Sequence, residues 1–151
     1  KTGIRPDAAI TWRKREMWPK RLSAAVLAGL LWIGNAHAAS LQGSEWKPLR
    51  MGSMAVPEAS SAFVQFRSKG RLEGHSGCNR MFAEYEADDG HIFVGPVAAT
   101  RMACEESLMA TEAALAAALE DARTYQRMRT SLVLFDHDGN PILEMRQTDW
   151  D

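Results

Sequence analysis

What this chain is short of narrows its function before any motif is read. It has only two cysteines, Cys78 and Cys104; Cys78 has a ligand-like x2 spacing to His75, but Cys104 and His91 lack a paired motif of the kind that builds zinc sites. Its longest apolar run, Leu22 to Ile33, is twelve residues, whereas a membrane-spanning helix needs about 20. Stable insertion into a bilayer is therefore not expected. Residues 39–151 hold eleven Lys/Arg against seventeen Asp/Glu and no basic cluster. That balance argues against nucleic acid as a partner, because phosphate neutralisation needs clustered cations. There is no EF-hand loop, no recognisable nucleophile element around Cys78 and no complete catalytic constellation. Low-complexity and collagen-like bias are also missing.

What is present divides in two. Residues 1–38 carry seven Lys/Arg and two Asp/Glu, so they are basic where the remainder is acidic. Met17-Trp18-Pro19-Lys20-Arg21 supplies a positive start, the run to Ile33 an apolar middle, and Gly34 to Ala38 a close in small residues. This is the pattern of an export signal over 17–38, with cleavage expected after Ala38. Ala39, not a cysteine, stands directly after that point, so the usual bacterial lipid anchor is not expected. Residues 1–16 show neither apolar nor amphipathic pattern and are expected to be a non-native or mis-assigned extension. The chain is expected to be periplasmic or secreted, a compartment in which two thiols tend to end as one disulfide.

The mature portion, 39–151, reads as one domain of short strands and one helix. A strand is expected over 44–51 around Trp46 and Leu49, another over 62–68, and a return strand over 71–77 after the Lys69-Gly70 turn. Residues 80–87 alternate, with Phe82, Glu84 and Glu86 on one side and Met81, Ala83 and Tyr85 on the other, a strand with one wet face. Asp89-Gly90 then turns the chain into a strand over 91–98 interrupted at Gly95-Pro96. Residues 105–122 are rich in Ala, Leu and Glu, with Leu108, Leu115 and Leu119 at helical spacing and Met109 beside them. Strands follow over 123–129, 131–136 and 141–147, the last two joined by an Asp138-Gly139 turn. The fold class is α+β: a strongly bent antiparallel sheet or incomplete β-barrel with one covering helix.

Two elements are specific. Gly77-Cys78-Asn79-Arg80 opens the alternating strand, and Thr100-Arg101-Met102-Ala103-Cys104 stands directly before the helix. With Trp46, Tyr125 and the hairpin from Leu132 to Leu143, this arrangement resembles the META domain family, also called HslJ-like after a heat-inducible bacterial protein. The resemblance spans the whole mature portion. One departure is Ala83, where the family more often has glycine; this bears on a local bulge or bend. The resemblance implies a small exported or envelope-associated domain connected with stress or drug tolerance, no known enzymatic activity and no cofactor. It also implies a fold similar to pilot proteins of outer-membrane secretins.

The cysteines admit three readings. A Cys78–Cys104 disulfide would close a loop of about 25 residues and constrain the unfolded chain by roughly 3 kcal/mol. A metal site could draw on Cys78, Cys104, His75 and His91, and a thiol nucleophile on Cys78 with a histidine base. Glu84, Glu86, Asp88 and Asp89 fit a solvated strand face beside a turn. Gly77, Asn79 and Arg80, with Thr100, Arg101 and Met102, form a motif that either caps backbone groups or presents a binding surface. Met81, Met102, Met109 and Met128 read as core filler, though flexible sulfurs also suit an apolar groove. The leading functional expectation is a monomeric, non-enzymatic binding or stress-protection module that holds an envelope protein segment or an apolar small molecule. The alternatives are a protease inhibitor presenting the Gly77–Arg80 loop and a thiol- or metal-dependent enzyme.

Overall fold

The computed structural model of the protein describes residues 40–149. The expected extension, export signal and cleavage point lie outside the described residues. The elements in chain order are β1 (Glu45–Met51), β2 (Met54–Ala55), β3 (Phe63–Arg67), β4 (Arg71–His75), β5 (Arg80–Asp88), β6 (His91–Val94) and β7 (Ala98–Ala99). Then come α1 (Glu106–Asp121), β8 (Thr124–Met128), β9 (Ser131–Phe135) and β10 (Pro141–Gln147).

Every pairing is antiparallel, and the strands follow the order β3, β4, β5, β6, β8, β9, β10, β1, with β1 returning to β3. The sheet therefore closes into an eight-stranded barrel, which corrects the expectation of an incomplete one. The reason is the pairing of the last strand with the first: Trp46 lies opposite Gln147 and Met51 opposite Leu143. A bulge between Pro48 and Arg50 shifts the register of β1, so after Trp46 and Pro48 it is Met51 rather than Arg50 that enters the core, and Leu49 stays half-buried. The thinnest joint is β6 with β8, a single pair, His91 with Thr124. Helix α1 packs beside that joint, against β6, β10 and β1.

Period two explains the interior. Trp46, Val64, Phe66, Leu72, Met81, Ile92, Leu132, Leu134, Leu143 and Met145 alternate with wetter neighbours and are buried together. Leu115, Ala118 and Leu119 of α1 join the same cluster, so the helix completes the core. Leu108 is half-buried against Gly77. Three methionines depart from expectation: Met102, Met109 and Met128 are exposed, and of the four only Met81 fills the core. Met128 ends β8 beside the Arg129 turn, and Met109 lies on the outward side of α1.

The turns follow their residues. Asp89 (φ 44°) and Gly90 (φ 83°) are both left-handed, as a two-residue hairpin requires. At the β9–β10 hairpin the Asp136 carboxylate accepts the backbone N–H groups of Asp138 at 2.9 Å and Asn140 at 2.8 Å. The Asn140 side-chain amide, which donates to the same carboxylate at 3.0 Å, followed by the Asn140 backbone N–H and with lesser help from Asp138 and His137, holds the Asp136 carboxyl below its ordinary range. Ala83 pairs regularly with Leu72, and the irregularity lies on the other side of β5. There Gly95 N–H bonds Glu84 before pairing resumes at Ala98 with Phe82.

Two predictions test this packing. A Cβ on Gly74 would stand 2.6 Å from the Phe63 carbonyl oxygen. Gly74→Ala is therefore expected to cost about 1–3 kcal/mol in urea unfolding, and an unchanged midpoint would show that β3 and β4 lie further apart. Burial raises the phenol pKa of Tyr85, with Tyr125 adding to it, and burial likewise raises that of Tyr125, with Asp88 and Asp89 adding. A folded pKa above the unfolded value, near 10, gives a contribution intact below that pH and lost as pH rises through the folded pKa. A phenolate absorbance titration reads both groups directly, since the chain has two tyrosines. Both should ionise later than free tyrosine, and ionisation of both at the free value would contradict the packing.

Candidate functional site

Gly77 adopts φ 99°, a left-handed turn that an L side chain resists. The turn begins at Ser76, which is fully buried and escaped the sequence reading. Its Oγ accepts the N–H groups of Cys78 at 3.3 Å and Asn79 at 3.0 Å, and its hydroxyl donates to Glu112 Oε2 of α1 at 2.7 Å. The signal for Ser76 was its place in a glycine-flanked turn, where a hydroxyl bonds backbone two and three residues on. His75 Nδ1 accepts the Gly77 N–H at 3.0 Å, which leaves the ring proton on Nε2 when the imidazole is neutral.

Asn79 follows, 1% exposed. Its Oδ1 accepts the Thr100 hydroxyl and the Met102 N–H, each at 2.8 Å, and its Nδ2 donates to the Met102 carbonyl at 3.3 Å. The carboxamide thus does for Met102 what a neighbouring strand would do, pairing both backbone groups. Thr100 N–H bonds the Arg80 carbonyl at 3.0 Å, and Arg80 N–H bonds Thr100 Oγ1 at 3.2 Å. Cys78 and Cys104 are joined by a disulfide, with Cα atoms 6.1 Å apart. The two specific sequence elements are one object: a clasp that holds residues 98–104 along β5 and delivers the chain to α1.

The side chains of Arg80, Arg101 and Met102 take no part in the clasp and are exposed. Thr100 and Met102 are used through a hydroxyl and a backbone. Of the Gly77–Arg80 loop of the inhibitor alternative, Cys78 and Asn79 are buried and Arg80 is exposed. The four-ligand metal reading fails on placement. His75 is opposite Arg80 and His91 opposite Asp88, the two ends of β5, roughly 26 Å apart along a strand. Among the described residues no three His, Cys, Asp or Glu side chains are grouped to hold a metal ion. In the bridged state neither cysteine is a thiolate, the form a nucleophile requires.

A second surface lies on the outward face of β3 to β7. Phe63 and His75 stack there with centroids 6.4 Å apart, and Arg67 pairs with Glu73 at 3.2 Å. Phe82 is 45% exposed and Phe93 57%. Three open grooves of about 380, 520 and 420 Å³ run side by side across this face. The first two share Glu73 and Phe82, the second and third Glu84 and Pro96. The sequence signal was Phe82 on the charged side of an alternating strand. Asn79→Ala should lower stability by about 1–3 kcal/mol, since it strands buried partners. Arg80→Ala should stay within about 0.5 kcal/mol. Equal effects in chemical denaturation would contradict the division between clasp and exposed side chains.

Comparison with known proteins agrees with this geometry. The META domain profile matches residues 39–149. An NMR structure of a protein from Burkholderia xenovorans is similar with a TM-score of 0.60 and 23% identity, over 73% of this chain and 85% of that one. A second NMR structure gives a TM-score of 0.56 and 19% identity, over 70% of this chain and 90% of its own. At such identities the likeness is one of fold. No curated protein matches the chain. With the family profile covering the entire barrel and both halves of the clasp, the chain belongs to the META domain family.

Proposed function

We propose that this domain is a non-enzymatic binding module of the cell envelope, with a role in stress protection, whose working surface is the outward face of β3 to β7. The observation that carries the reading is the pair Phe82 and Phe93, large apolar side chains left in solvent on the wet side of the barrel and joined by continuous grooves. Exposed apolar surface of this kind marks interaction sites. The rest of the molecule supports it. The barrel interior is filled by Trp46, Phe66 and their neighbours, and the two family elements are occupied in holding the chain together. Shallow grooves open to solvent suit a protein segment better than an enclosed apolar small molecule. The export pattern over 17–38 and the bridged cysteines support an oxidising compartment.

A photoreactive amino acid placed at Phe82 in living cells should give a discrete protein adduct. The same group at Met128, exposed beyond the grooves, should not. An intact, exported protein with no adduct at Phe82, or with the same adducts at both positions, would sink the reading.

A further inference from the structure

The geometry of this face points to the segment it receives. We infer that it is an extended polypeptide with apolar residues at positions i and i+4 and a Lys or Arg at i+2. The inference rests on the binding-module reading above and specifies its partner. Phe82, Glu84 and Glu86 are successive outward residues of β5, and Phe93 lies directly across from Glu86 on β6. The two phenyl rings are therefore about four strand residues, or roughly 13 Å, apart. The Glu84 carboxylate lies between them, and Glu86 stands level with Phe93.

An extended segment repeats on one side at i, i+2 and i+4, and its i to i+4 distance is the same, roughly 13 Å. Laid along the grooves, it meets Phe82 and Phe93 with its outer residues and Glu84 with its middle one, with Glu86 one outward position further along β5. The surface is shaped for such contact. Gly95 has no side chain to fill the space beside Glu84, and Pro96 holds the bulge with a fixed φ and no N–H to satisfy. Among the described residues neither glutamate makes an ion pair, and both are exposed. Lys69 and Arg71 border the same grooves from the β4 side; Arg71 is opposite Glu84, and neither cation is in ion-pair contact with it. A cation at i+2 lies over Glu84 with Glu86 one outward position away, two carboxylates without an ion-pair partner among the described residues, whereas an acidic residue there meets like charge.

The test uses the protein as isolated from cells, labelled with nitrogen-15, and three synthetic peptides. The first is acetyl-Ser-Leu-Ser-Lys-Ser-Leu-Ser-amide. The second has Glu in place of the central Lys, and the third brings the two leucines to i, i+2 spacing. The first peptide should shift the amide signals of residues 82–86 and 93–96 and bind about tenfold more tightly than the other two, the scale of two exposed ion pairs. The Glu84→Lys/Glu86→Lys variant should reverse the preference between Lys and Glu peptides. Equal binding of Lys and Glu peptides, or of both spacings, overturns this inference and leaves the Phe82 adduct as separate evidence for a binding face. Shifts confined to other residues overturn it as well. No shift with any peptide overturns it too, while the broader reading stands or falls on the cross-link at Phe82.

Discussion

One buried carboxamide holds an irregular segment of this domain in place. Residues 100–105 lie outside any strand or helix, yet they must carry the chain from the edge of β5 to the start of α1. Asn79 supplies what a strand would have supplied, an acceptor for the Met102 N–H and a donor for its carbonyl. The Cys78–Cys104 bridge ties the same two segments covalently, and Ser76 ties the turn to Glu112 of the helix. Three independent links meet within four residues, so the entry of α1 onto the core is over-determined. Asn79 must be inside for this to work, and a buried amide is tolerated only because each of its polar atoms has a partner.

Closure of the barrel is the second constraint, and it decides where function can lie. Pairing β10 with β1 removes the sheet edges that would otherwise invite strand addition. The interior is then filled by aromatic and branched side chains, with Arg127 laid over the Trp46 ring at 5.1 Å. With edges and interior both committed, the outward face is what remains for a partner. It is also where aromatic residues lie in solvent among charges, at Phe82 and Phe93.

Much of this was legible in the residues because the governing physics is local. Asp89-Gly90 and Asp138-Gly139 announce their turns, and period two marks β5 and β9. The Ala/Leu/Glu run marks α1. The family resemblance named the clasp elements but not their use: that Asn79 would face inward and Arg80 outward depends on the strand's register. Closure was out of reach, because it joins Trp46 to Gln147 across a hundred residues of chain, and no local pattern reports that. The methionines misled for a related reason: composition does not tell which side of α1 or which end of β8 faces solvent. Phe82 was visible on a wet face, and only the grooves beside it give that position meaning.

The central claim is that Asn79 serves Met102 as a strand would. Met102 is 56% exposed and outside regular structure, so an ordinary loop would let its amide exchange with solvent quickly. Amide hydrogen exchange at that one residue is the most direct measurement. Protection of the Met102 N–H comparable to that of the paired strands β4 and β5 is the predicted result. Exchange at the rate of an open loop would contradict the account.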